Sequence, residues 1–362
     1  MPELGLCCPI GRSRHICYFT VFGCNSDMSN GVVNKSYGER SLAIVHSTLA
    51  SVKHLLDDES INEIQINAPN VVFARKGAKD FFTGIKISAT EIKAAIQTIA
   101  AMNDKEISTR YAVTQEERSK SMLSARLPGL RIEGILDPVA VNGPSMCIRK
   151  HSTRVFALPS YVDTGILTPA TLELLTGIAQ RQETLIIAGS TYSGKTTLVN
   201  AFINEMPDED RLFIIEQVHE LLVKKPNMVI TECDPEQGVT AQHALMSAMR
   251  YSPSRIIIGE LRGKEAINFL EACNTGHAGL TTLHADSARD CLMRLEDLVM
   301  QANRGIPLEA VRARIASSIN WVLHIGMYSG QREIREIYRV DGMNRETNQY
   351  KFTNFSTGEA NE

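Results

Sequence analysis

The segment Gly189-Ser190-Thr191-Tyr192-Ser193-Gly194-Lys195-Thr196 fits the phosphate-binding pattern G-x4-G-K-[ST]. Its glycines let the backbone curl so that N–H groups and a positive helix terminus face an anion. Lys195 brings a charge to the β- and γ-phosphates, and the Thr196 hydroxyl can join a Mg²⁺ shell. Gly189, Thr191, Ser193, Gly194, Lys195, Thr196 and Thr197 are therefore the expected nucleotide-binding residues. Two acids follow at the ends of apolar runs: Leu212-Phe213-Ile214-Ile215-Glu216 and Ile256-Ile257-Ile258-Gly259-Glu260. A carboxylate at the C-terminal edge of a buried strand lies where open parallel sheets bind ligands. One such acid can hold Mg²⁺ through water and the other can orient or deprotonate an attacking water. Either alone also suits a helix cap.

A third cluster, Asn274-Thr275-Gly276-His277-Ala278-Gly279, leads into Thr281-Thr282-Leu283-His284. Two histidines in eight residues, one on a glycine-flanked loop and one at a strand end, suit sensing of a γ-phosphate. A zinc pair would need further ligands, and none lies at a suitable spacing. Tyr192 stands where many such loops have glycine. Its ring can lie over the phosphates or pack outward, and both readings stay open at this point.

These residues need a parallel sheet to position them. Thr184–Ala188, Arg211–Glu216, Met228–Cys233, Arg255–Gly259 and Leu280–Leu283 read as buried strands separated by helical segments, which argues for a mostly parallel sheet covered on both faces. Thr168-Pro169 carries the N-cap and first-turn proline signature of a helix reaching about Gln180. Trp321–His324 and Arg332–Tyr338 flank Ser329-Gly330 as a hairpin. Upstream, Leu42, Val45, Leu49, Val52 and Leu56 recur at helical spacing and predict one helix near 40–56. Ile61–Asn67 alternates apolar with polar residues, and Ala68-Pro69-Asn70 turns it into Val71–Ala74. A helix near Ala89–Asn103 and further short strands to Ile148 complete a smaller α+β unit. The expected division is a disordered leader or misassigned start over 1–27, an N-terminal α+β domain over 28–155, a linker over 156–165, an α/β phosphate-loop domain over 166–342 and a polar tail over 343–362.

Composition agrees with this and narrows the function classes. The 362 residues are 43% hydrophobic, 22% charged and 6% aromatic, as in a globular protein of two domains. Net charge is −3, so no basic excess supports direct nucleic-acid binding. No stretch approaches the roughly 18 consecutive apolar residues of a spanning helix, which excludes a protein threaded through the bilayer by helices. Cys147, Cys233, Cys273 and Cys291 are scattered as buried thiols are in a reducing compartment. Cys7, Cys8, Cys17 and Cys24 crowd the leader without zinc-site spacing, so no zinc is expected.

Taken in order, the phosphate loop, Glu216–Glu220, Gly259–Gly263 and Thr275-Gly276-His277 to His284-Ala285 resemble the Walker A, Asp box, Walker B and His box of the secretion ATPases. These are the motors of type II and type IV secretion and of type IV pili. Glu63–Asn67, Ser124–Pro128, Arg131–Gly134 and Ile148–Lys150 resemble the conjugal-transfer branch, the TrbB-type ATPases of type IV secretion. The resemblance spans about residues 40 to 340. It implies a RecA-like C-terminal domain and a homohexameric ring on the cytoplasmic face of the inner membrane, working with inner-membrane components of a secretion or pilus apparatus. ATP and Mg²⁺ would lie between the two domains. It further implies that Glu216 is the catalytic carboxylate, that Glu260 supports Mg²⁺ or water, that His277 faces the γ-phosphate, and that Arg131 and Arg149 reach the phosphates. The implied function is an ATP-hydrolysing motor for pilus assembly and substrate translocation. A Tad or type IV pilus motor, or a slowly hydrolysing assembly module, is the alternative. One departure stands out: where the Asp box usually reads Glu-Asp, Gln217 follows Glu216.

Overall fold

The computed structural model describes residues 20–21, 40–77, 79–108, 120–151, 155–235, 238–302, 305–344 and 346–355. Thr20–Val21 forms a two-residue strand, β1; the rest of the expected leader lies outside the described residues. The first layered unit follows. Its helices are α1 (40–48), α2 (Lys53–Asp57) and α3 (Ala89–Met102). Its strands are β2 (Glu63–Ala68), β3 (Val71–Lys76), β4 (Lys79–Phe82), β5 (Met122–Leu127), β6 (Leu130–Ile135) and β7 (Ser145–Lys150). The strands form an antiparallel sheet in the order β4-β3-β2-β7-β6-β5.

Alternation gives this sheet two unlike faces. Ile64, Ile66, Val72, Ala74, Ala125, Ile132 and Ile148 are buried against Ile92, Ile96 and Ile99 of α3 and Val45 and Leu49 beside it. Gly134 allows the close approach of α3, because a Cβ there would lie 2.9 Å from Ile96 Cγ1. The other face is charged. Register places Asp80, Arg75, Glu63, Arg149, Arg131 and Arg126 side by side, one from each strand, in a single row across all six.

The single helix expected over 40–56 is broken. A 3-10 turn at Ala50–Val52 separates α1 from α2. Ser47 and Thr48 donate their hydroxyls to the Ile44 carbonyl at 2.8 and 2.9 Å, a back-bonding that bends helices.

The second unit contains α4 (Ser160–Asp163), α5 (Pro169–Gln180), β8 (Leu185–Ala188), α6 (Lys195–Asn204), β9 (Leu212–Glu216) and β10 (Met228–Glu232). It continues through α7 (Ala241–Ala248), β11 (Arg255–Ile258), α8 (Glu265–Asn274), β12 (Ala278–Leu283), α9 (Ala288–Met300) and α10 (Leu308–Ser318). It ends with β13 (Trp321–Tyr328), β14 (Gln331–Asn344) and β15 (Gln349–Asn354). The nine-stranded sheet runs β1-β10-β9-β11-β12-β8-β13-β14-β15. Strands β10 to β13 in that order are parallel, and the remaining pairings are antiparallel. Each central strand is buried on both faces, as its unbroken apolar sequence requires. One face packs on α7 to α10 and the other on α4 to α6. Thr168 caps α5 by accepting from Thr171 N, with Pro169 in its first turn.

Two boundaries differ from expectation. The stretch 156–165 is not a free linker: Leu158, Tyr161 and Leu167 are buried in the core beneath β8, and residues 160–163 are helical. The crossing from one core to the other therefore falls between Lys150 and Leu158. Nor are residues 343–362 simply a polar tail, since β15 pairs along β14. Tyr350 donates its hydroxyl to Glu296 at 2.8 Å, and the Phe355 and Trp321 ring centres are 5.2 Å apart. Among the described residues no helix is long and apolar enough to cross a membrane.

Candidate functional site: a cleft between the two sheets

The loop after β8 turns into α6 at Gly194, whose φ of +101° is open to glycine. Gly189 is fixed by contact, because a Cβ would run into the Ile325 carbonyl oxygen of β13. Lys195 is 8% exposed and donates to the Gly189 and Ser190 carbonyls, both at 2.8 Å. Burial pushes its ammonium down to about 8. The Ser193 hydroxyl is buried and has no hydrogen-bond partner among the described residues. A buried cation resting on carbonyls, beside an orphaned hydroxyl in a glycine cradle, suits a bound phosphate chain.

A cleft of about 360 Å³ opens above this loop. Thr191, Gly194, Lys195, Thr196 and Thr197 line one side, with Glu216 and Glu260 at the strand ends. Arg131 and Arg149 of the charged row close the cleft from the other sheet. The two sheets thus contribute opposite walls of one site.

The two acids differ in what they touch. Glu216, with a side chain 3% exposed, accepts from the Glu220 and Leu221 amides at 3.0 Å each through Oε1. Its Oε2 is 3.0 Å from His219 Nδ1, and this contact raises the His219 pKa. Both oxygens are committed to folding the loop that follows β9. Glu260 is more open. Its Oε1 lies 3.1 Å from His284 Nε2 and its Oε2 accepts from Arg262 at 2.6 Å. His284 Nδ1 in turn is 3.3 Å from Lys195 Nζ. Burial and the adjacent ammonium lower the His284 pKa, so the neutral ring can accept from Lys195 and donate to Glu260. The chain of contacts ends at Gln217, whose amide oxygen is 3.4 Å from Arg262 Nη1.

His277 does not join this group. It precedes β12, with Nδ1 2.9 Å from the Pro253 carbonyl ahead of β11. The six residues of β12 span about 20 Å, so His277 and His284 stand at opposite ends of the strand. The expectation that His277 faces the γ-phosphate is corrected accordingly: His284 is the histidine at the phosphate loop.

Several cleft residues carried no clear sequence signal. Arg332 reaches in from β14, 3.4 Å from the Tyr192 carbonyl. Asn200 accepts from Leu222 N at 2.8 Å and braces the loop after β9. His151 faces Glu220 at 3.8 Å across the two units, and outside the cleft Arg126 bonds Glu232 at 3.0 Å. Tyr192 lines the cleft and turns toward the other sheet, where its hydroxyl donates to Glu63. Its φ of +64° costs a non-glycine residue roughly 1–2 kcal/mol. Only the pattern of one aromatic among small loop residues hinted at it. Among the described residues, no three His, Cys, Asp or Glu side chains converge as a metal-binding group.

Known proteins resemble this chain over most of its length. Residues 49–346 match the family model described as "Type II/IV secretion system protein". A probable conjugal transfer protein TrbB of Sinorhizobium fredii is 32% identical over 292 residues, covering 79% of this chain and 85% of that protein. A type IV secretion system protein VirB11 of Brucella suis is 31% identical over 351 residues, covering 86% and 95%. Among solved structures, the Legionella pneumophila ATPase DotB superposes with a TM-score of 0.58 at 20% identity, covering 82% of this chain and 81% of that one. A RecA-like sheet, a phosphate loop completed by a second unit, and relatives aligned over most of both chains lead to one assignment: the chain belongs to the secretion ATPases, the type II/IV secretion system protein family.

Proposed function

We propose that this protein hydrolyses ATP in the cleft between its two sheets and, as a homohexameric ring, drives a type IV secretion apparatus for conjugative transfer. The observation that carries the reading is the joining in one cleft of a buried Lys195, a partly exposed carboxylate at Glu260 held by His284 and Arg262, and two arginines from the opposite sheet. The names of the TrbB and VirB11 relatives support the secretion setting. Pilus assembly, substrate passage and attachment to inner-membrane components at the cytoplasmic face belong to the same proposal.

Lys195 and the loop amides bind the β- and γ-phosphates. Glu260 orients the attacking water and takes its proton, with His284 holding the carboxylate in place. Glu216 acts through the loop it folds. Arg131 and Arg149 neutralise charge developing on the transferred phosphoryl group. Thr196 and Glu260 offer hard oxygen donors that suit Mg²⁺, which when bound would offset phosphate charge.

The alternative is a slowly hydrolysing assembly module, favoured by Gln217 in the Asp box and by the engaged oxygens of Glu216. Steady-state phosphate release separates the two. Lys195→Ala should abolish turnover, and Glu260→Gln should lower kcat by about 10²–10⁴-fold. Wild-type protein that binds ATP and releases no phosphate would establish the module instead. Light scattering with nucleotide tests the hexamer, and conjugation assays with Lys195→Ala test the cellular role.

A further inference from the structure

The aromatic residue of the phosphate loop touches the other sheet at three points. The Tyr192 hydroxyl donates to Glu63, and the guanidinium carbons of Arg75 and Arg149 lie 4.4 and 4.9 Å from its ring centre. Those three partners are consecutive members of the charged row, Arg75 on β3, Glu63 on β2 and Arg149 on β7. Their engagement differs. Arg75 holds Asp80 through two bonds of 2.6 and 2.8 Å and approaches Glu63 at 3.4 Å. Arg149 forms no ion pair among the described residues, and its close neighbour is the Tyr192 ring face, a cation–π arrangement. Burial and the Glu63 bond raise the phenol pKa, so Tyr192 stays a donor at neutral pH.

Glycine at position 192 would satisfy the left-handed backbone without cost and would touch none of these groups. A tyrosine there links the loop that cradles phosphate to the arginine that faces it. We propose that Tyr192 is a positioning residue whose ring holds Arg149 at the cleft, so that the phosphate loop and the arginine of the opposite sheet approach the γ-phosphate as one unit. This deepens the ATPase reading and rests on it for the identity of the ligand. Movement of the loop on nucleotide binding would then be passed to β7 and β2 through the side chain of Tyr192.

The test is a double-mutant cycle on ligand preference. Dissociation constants for ADP and ATPγS are measured on the full chain for wild type, Tyr192→Gly, Tyr192→Phe, Arg149→Ala and the Tyr192→Gly/Arg149→Ala double variant. Tyr192→Gly should leave ADP affinity within about threefold and cut the preference for ATPγS by about tenfold, the order of one charge-assisted contact. Arg149→Ala should cost the same, and the double variant no more than either alone. Tyr192→Phe keeps the stacked face and should retain most of the preference, whether or not the glycine variant folds. Additive losses in the cycle, or a phenylalanine variant as impaired as the glycine one, would overturn the proposal. Binding is read without turnover, so the two readings fail separately. A wild type with an intact cycle and no phosphate release refutes ATPase activity and upholds the Tyr192 link. Brisk phosphate release with an additive cycle does the reverse.

Discussion

Raising the pH should weaken nucleotide binding through one group. Burial holds the Lys195 ammonium at about 8 in the free protein, while phosphates beside it favour the charged form and raise that value on binding. With the free pKa below the bound one, binding takes up a proton and affinity falls as pH rises. The fraction already protonated is about 0.9 at pH 7, about 0.5 at pH 8 and about 0.1 at pH 9. Affinity for ADP should therefore drop about tenfold from pH 7 to pH 9, ~1.4 kcal/mol. Isothermal titration in buffers of different ionisation enthalpy should record an uptake of about half a proton at pH 8 and nearly one at pH 9. Lys195→Arg keeps its charge throughout and should show weaker but pH-independent binding over this range. Equal affinities at pH 7 and 9, with no proton uptake at pH 8, would refute the argument. Stability of the nucleotide-free chain runs the other way. Unfolded lysine titrates near about 10.4, so between about pH 8 and pH 10 the unfolded state binds more protons and this group makes stability rise with pH.

Two further predictions concern the scaffold. Arg255, 2% exposed, pairs with Asp210 at 2.5 Å and donates to the Ala179 carbonyl at 2.8 Å; Asp210→Ala strands that cation and should cost about 3–5 kcal/mol in urea unfolding. Pairing Asp210→Leu with Arg255→Met should recover most of the loss. Deleting residues 349–362 uncovers the edge of β14 from Tyr338 to Asn344 and should cause concentration-dependent association in light scattering.

The parallel strands were legible because each is an unbroken apolar run bounded by turn residues, and the phosphate loop because its pattern lies between such a run and a helix. β15 was less legible: its alternation of Tyr350 and Phe352 with polar residues is short and follows a polar turn. The linker looked free because Pro159, Ser160 and Gly165 punctuate it, yet burial of Leu158 and Tyr161 overrides that local texture. At the site, motif order located Glu216, Glu260 and both histidines without saying which way each side chain points. His277 and His284 are seven residues apart, and a strand lies between them, so proximity in sequence became separation in space. The partners of Tyr192 come from three strands more than 40 residues upstream of it: sheet register lines them up, and packing of the two units sets them against its ring.

The row of six charges has a consequence for how such a chain can change. Side chains in an antiparallel sheet alternate strictly, so the row depends on the number of residues in each turn as much as on their identities. Losing one residue from the Pro128-Gly129 turn would shift β5 against β6 and drive Arg126 toward the apolar side lined by α3. Exchanges at single positions of the row remove one charge each; a one-residue length change in a neighbouring turn inverts a whole strand. Turn length should accordingly drift more slowly than side-chain chemistry across this sheet.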